Sequence, residues 1–205
     1  LIFSILESRQ MNKRCLGCYS IIFAAGFCQD CIKDFSKPSC EDSNGRTCLF
    51  EYKGVLRSTI MRAKVRNDLN ALSGLRDLFV LNPFVLESAS TADRIVPIPS
   101  SLWGRLRGRF DLAEALALGV SAETGVATSS FPRSTYWRHF KRAGKNRQKR
   151  DPQKVSRSKP LFAGLRIQLI DDVMTTGQTM RWAEEAALSL GAISVSCAVL
   201  AMANG

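Results

Sequence analysis

The chain has 205 residues, 45% of them hydrophobic, and a formal net charge of +11. That length suits one α/β domain with a small appendage, and that apolar content provides a real core. No apolar run approaches the roughly 18 residues of a membrane-spanning helix, which argues against membrane insertion.

The first segment, LIFSIL, is apolar but short, and no small-residue cleavage pattern follows it. It therefore does not read as a signal peptide, and a cytoplasmic location is expected. The chain opens on Leu1, which fits a fragment or a mis-called start, with Met11 a candidate start.

Six of the seven cysteines fall within the first 48 residues. Cys15, Cys18, Cys28 and Cys31 form two Cys-x-x-Cys pairs nine residues apart. That spacing suits tetrahedral zinc held by four thiolates, a closed set that makes the metal structural. Disulfides are the alternative, disfavoured without a secretory signal. Residues 11–50 hold few large apolar side chains, so a metal is expected to fold them as a separate zinc-binding module. Cys40 and Cys48 read as a decayed second site or as surface thiols. Cys197, in an apolar run, reads as a buried small hydrophobe.

Residues 51–205 form the second expected unit. Residues 51–92 read as mostly helical, because VLRSTIMRAKV and DLNALSGLRDLFVL space their apolar residues by three and four. DRIVPIP then reads as a strand, RFDLAEALALGV as a helix and GVATSS as a short strand. After a basic segment come LRIQLI as a strand, QTMRWAEEAALSLG as a helix ending at Gly191, and AISVSCAVLAM as a final strand. This alternation implies a mostly parallel sheet flanked by helices.

The basic segment makes the protein basic. Residues 133–159 carry eleven Lys or Arg against one acid, Asp151. A polyanion is the natural partner for such a run, and a solvated basic loop is the plainer alternative. Tyr136, Trp137, His139 and Phe140 precede most of the charges, and aromatics beside cations suit stacking on single-stranded bases. His139 is the only histidine.

The stretch IQLIDDVMTTGQTM, residues 167–180, holds the densest chemistry. An apolar strand runs into Asp171 and Asp172, and a helix is expected from about Gln178. Ligands of parallel sheets bind at the carboxyl ends of strands. The unpaired N–H groups of a helix start favour an anion. Thr175, Thr176, Gly177 and Thr179 are small enough to let a phosphate approach. Gly177 can adopt positive φ, and the threonine hydroxyls can donate. The carboxylates cannot bind phosphate. They can accept hydrogen bonds from a vicinal diol or hold Mg2+. A 5′-phosphate with free 2′- and 3′-hydroxyls satisfies both halves, which points to ribose 5-phosphate or a derivative.

LIDDVMTTGQT resembles the loop with which phosphoribosyltransferases bind phosphoribosyl pyrophosphate (PRPP). The order of a Cys-x-x-Cys ribbon, YKGVLRSTIMRAK, DRIVPIP, an Arg-Gly helix start and this loop resembles the ComF family, including its GntX-like members, over about residues 14–203. The resemblance implies a type I phosphoribosyltransferase fold behind an N-terminal zinc module. It implies a transferase that moves phosphoribosyl from PRPP, with Mg2+, to an amine or base and releases pyrophosphate. Asp171 and Asp172 would be the catalytic pair on the ribose. Val173, Thr175, Thr176, Gly177, Gln178 and Thr179 would complete the PRPP loop. Pro99, Ser100 and Ser101 look like the pyrophosphate loop, with a plain proline turn as the alternative. Arg147, Gln148, Lys149, Arg150 and Arg157 belong to a basic loop that would close over substrate; Gln148 and Arg157 match a family Gln and Arg. Asp111 stands where the family usually has Asn. The alternative function is a non-catalytic nucleotide- and single-stranded-DNA-binding protein of natural competence, with a partner in the competence machinery.

Overall fold

The computed structural model describes residues 13–22, 26–35, 46–99, 110–132 and 161–203. Two short strands, β1 (Lys13–Arg14) and β2 (Ile21–Ile22), pair antiparallel. A single helical turn and a little more, α1 (Gln29–Lys33), follows.

The chain then enters a larger sheet through β3 (Thr47–Glu51). Three helices come next: α2 (Gly54–Arg66), α3 (Leu69–Val80) and α4 (Pro83–Ser90). Local chemistry divides them. Asn67 ends α2 in the left-handed conformation at φ 53°. Asp68 caps α3 by accepting from the Asn70 and Ala71 amides. Asn82 caps α4, with Pro83 in its first turn, where proline's missing N–H costs nothing. After α4 come β4 (Arg94–Pro97) and α5 (Leu112–Thr124). The last described stretch holds β5 (Arg166–Met174), α6 (Gln178–Ser189) and β6 (Ser194–Met202).

The four-stranded sheet is parallel throughout, in the order β3-β6-β5-β4. Helices cover both faces. On one, Leu56, Ile60, Leu75, Phe79, Val85 and Leu116 pack over Ile170 and Leu200. On the other, Met180, Ala183 and Ala187 of α6 pack over Ile167, Leu169 and Val199. Burial on both faces explains why β5 and β6 are rich in Ile, Leu, Val and Ala and not alternately polar. The expected α/β architecture with a parallel sheet is therefore present.

Three details depart from the expectations. GVATSS contributes one parallel bridge, Thr128 opposite Ile95, with Ile95 donating to the Ala127 carbonyl at 3.1 Å. β3 was not read as a strand. It spans the division placed between residues 50 and 51 and forms an edge of the main sheet beside β6. Cys48, expected at the surface or in a second metal site, is consequently buried among Ile98, Met174 and Val199. Cys40 lies outside the described residues.

The cysteine-rich segment docks on the helices. Phe35 belongs to the core of the larger domain, edge-on to Phe27 at 4.9 Å and 5.5 Å from Phe50. The Leu16 side chain fills the space where a Cβ on Gly74 would stand. The Leu16 carbonyl accepts from Arg62 Nη1 at 2.5 Å and from Thr59 Oγ1 at 3.5 Å, both on α2. Arg62 also lies 4.8 Å over the Tyr19 ring.

Candidate functional site

β5 is longer than its apolar run. Ile170 is the last residue opposite β4, but pairing with β6 continues through Asp171 and Val173 to Met174. The two acids were expected to leave the strand; instead they are part of it, held on one side only, past the end of β4. Among the described residues, no strand pairs with the β4-side flank of the acidic pair at the carboxyl end of the sheet. Asp171 is half-buried, and its Oδ1 accepts from the Asp172 amide at 2.8 Å. Burial, and then the Asp172 carboxylate beside it, push the Asp171 carboxyl well above the ordinary carboxylate range. Asp172 is buried and receives Lys64 Nζ on both oxygens, at 2.9 and 2.7 Å. Val173 is half-buried against the helical core.

The turn after β5 is only residues 175–177. Thr175 and Thr176 are exposed. Gly177 is the N-cap of α6 at φ 66°, and no side chain caps the helix. A left-handed φ favours glycine because an L side chain there meets the backbone. Space adds a second reason: a Cβ on Gly177 would stand 3.1 Å from Arg46 Nη1 and 3.5 Å from Met174 Sδ. Gln178 and Thr179 are exposed in the first turn, and the Gln178 amide reaches Thr176 Oγ1 at 3.4 Å. The sequence-expected residues 171–173 and 175–179 thus form one continuous strand, turn and helix start.

Beneath that turn lies a polar cluster that sequence reasoning missed. The buried Arg46 donates through Nε and Nη2 to the two oxygens of Glu184, at 2.8 and 2.7 Å. Cys197 Sγ donates to Glu184 Oε1 at 3.1 Å. Cys197 is buried as expected, yet it is a hydrogen-bond donor as well as an apolar filler. Burial and the Glu184 contact push its thiol far up. Lys64 was missed as well. It closes the motif YKGVLRSTIMRAK, but nothing in that stretch signals that its partner is 108 residues away.

Asp111 caps α5 through the Glu114 amide at 3.3 Å. Its charge, with that of Lys64, is felt at Asp171. Pro99 lies half-buried just past β4, after Ile98 donates to the Ile170 carbonyl at 2.8 Å. Ser100, Ser101, Arg147, Gln148, Lys149, Arg150 and Arg157 lie outside the described residues.

The four cysteines of the N-terminal segment come together. Their sulfurs all lie within 4.8 Å of one another. Cys15 and Cys31 are 3.6 Å apart, and Cys18 and Cys28 are 3.7 Å apart. Four sulfurs at about 2.3 Å from a tetrahedral zinc stand about 3.8 Å from each other. A disulfide needs about 2.05 Å. Cys15 Sγ accepts from the Gly17 and Cys28 amides at 3.3 and 3.2 Å, as a thiolate ligand does. Burial opposes ionisation of Cys15, but the Cys28, Cys18 and Gly17 amides outweigh it and hold the thiol at about 6. Burial and the neighbouring thiols push Cys31 up. The set is able to hold a structural zinc ion.

No protein-family model matches the chain, and no curated protein matches it. Among the described residues, no helix is long and apolar enough to cross a membrane. The structure thus defines a class: an α/β protein with a four-stranded parallel sheet covered by helices, carrying an N-terminal four-cysteine cluster fit for zinc.

Proposed function

We propose that the chain binds PRPP or another ribose 5-phosphate ligand and acts as a ComF-like phosphoribosyltransferase. One observation carries the reading. Two acids lie past the last β4 pairing of a parallel strand, and three residues after the strand a helix begins behind a left-handed glycine that offers no side-chain cap. A sugar diol has acceptors at the first place, and a phosphate has amides at the second.

In this reading Asp171 and Asp172 hold the 2′- and 3′-hydroxyls, and residues 175–179 hold the 5′-phosphate. The bond from the anomeric carbon to pyrophosphate breaks, and a bond to an acceptor nitrogen forms. The protein's part is to fix the ribose and to stabilise the departing charge. Mg2+ would arrive with the pyrophosphate and offset its charge. Pro99, with Ser100 and Ser101, would line the leaving-group side. The single-stranded-DNA reading rests on the charge of residues 133–159 and the aromatics Tyr136, Trp137 and Phe140 among them, all outside the described residues.

Calorimetry tests the proposal. Wild type should bind ribose 5-phosphate, and PRPP with Mg2+. Asp171→Asn with Asp172→Asn should weaken both by about a hundredfold or more, the worth of two charge-assisted contacts. Unchanged affinity in the double variant would refute the assignment.

A further inference from the structure

Lys64 belongs to α2, outside the strand–turn–helix unit, and yet it occupies that unit's acidic end. Its ammonium contacts both Asp172 oxygens, and its charge reaches Asp171. The Asp172 side chain is 7% exposed and that of Lys64 is 32% exposed. A nearly buried carboxylate needs a cation when no ligand is present. An ammonium on a flexible four-carbon stem, one third open to solvent, can leave that carboxylate without unfolding anything.

Two contacts hold α2 in place around Lys64. On the N-terminal side, the Leu16 carbonyl between Cys15 and Cys18 accepts from Arg62 and Thr59, two and five residues before Lys64. On the C-terminal side, Asn67 Oδ1 accepts from the Phe110 amide at 3.2 Å, next to the α5 cap Asp111. Lys64 is therefore fixed between the acidic pair and the segment that leads into α5.

Resting on the ribose 5-phosphate reading above, we propose that Lys64 is a ligand-contacting residue for the anionic leaving group. In the ligand-free site it is the counter-ion of Asp172. When a diol takes the Asp172 oxygens, the ammonium turns to the pyrophosphate. The same side chain thereby stabilises the empty site and, once displaced, recognises the charge that must depart. It places the leaving group on the α2–α5 side of the acids, opposite α6.

The test compares three probes, pyrophosphate, ribose 5-phosphate and PRPP, at fixed Mg2+ and ionic strength. Lys64→Gln should weaken pyrophosphate and PRPP by about tenfold or more, as loss of a charge-assisted hydrogen bond does. It should not weaken ribose 5-phosphate, whose diol only displaces Lys64 from Asp172. Lys64→Arg should recover a large part of the loss. In wild type, the Lys64 ammonium resonance should shift when the diol of ribose 5-phosphate displaces it from Asp172, and should take a different position with PRPP, a readout that needs no variant to fold. Equal losses for all three probes, or the same resonance position with PRPP as with ribose 5-phosphate, would overturn the assignment and leave Lys64 a counter-ion only. A wild-type chain that binds none of the probes would overturn the ligand reading itself and this inference with it.

Discussion

At the scale of single residues, the acidic pair is a compromise between stability and use. Burial and the Asp172 charge raise the Asp171 carboxyl above its ordinary range. The folded chain therefore holds that proton to higher pH than the unfolded chain does. The contribution to stability is full below the unfolded value, about 4, and is lost as pH rises through the folded one. Asp171→Asn keeps an oxygen to accept the Asp172 amide and removes the charge. It should raise unfolding stability at pH 7 and change it little at pH 3. Denaturant melts at the two pH values check this, and an equal effect at both would refute the burial argument. A residue that stability would discard and a ligand would keep is common at functional sites. The Asp-Asp pair, the threonines and Gly177 were legible because they are consecutive, and consecutive residues share one local geometry. Lys64 and Arg46 were not legible, since a charge has no period that points to its partner.

At the scale of elements, the sheet is aligned at its amino end by one ion pair. Asp93 Oδ2 accepts from the Arg166 amide at 2.8 Å and from Nε at 3.0 Å, and Oδ1 accepts from Nη2 at 2.9 Å. The Asp93 amide donates back to the Arg166 carbonyl at 2.8 Å. These bonds set the register of β4 on β5, and so they set how far β5 overruns β4 at the site. The Arg166 side chain, then its amide, holds the Asp93 carboxyl down at about 2. The stabilisation is full above the unfolded carboxyl value, about 4, and is lost as pH falls to about 2. Asp93→Asn should flatten the acid limb of the stability curve between those values. Acid titrations followed by circular dichroism check it, and parallel limbs for variant and wild type would count against it. The strand–helix order was legible from apolar spacing. β3 was not: five residues at the edge of a cysteine-rich segment look like part of that segment until β6 is beside them.

At the scale of the whole molecule, the cysteine cluster is joined to the larger core. Phe35 lies in that core, and Leu16 packs onto Gly74 of α3. One zinc per chain is expected by native mass spectrometry, with replacement of Cys15 or Cys31 abolishing it. Metal binding in so small a segment is folding free energy. Chelation should therefore loosen the segment and lower the melting temperature of the entire chain, because Phe35 loses its support. A chelated chain that melts as the metal-loaded one does would show that the cluster is not a structural zinc site.

The sequence by itself determined the α/β class, the zinc-type spacing and the strand–turn–helix unit at residues 167–180. Each depends on residues close in the chain, or on a periodicity that reports which side faces a core. Tertiary structure alone decided that Lys64 covers Asp172, that Arg46 pairs with Glu184, and that Cys48 is buried in an edge strand. It also decided that β5 runs past β4 before it turns. Those pairings join residues up to 138 positions apart. They are set by which helix crosses which strand, and packing of the whole chain fixes that crossing, whatever the local pattern.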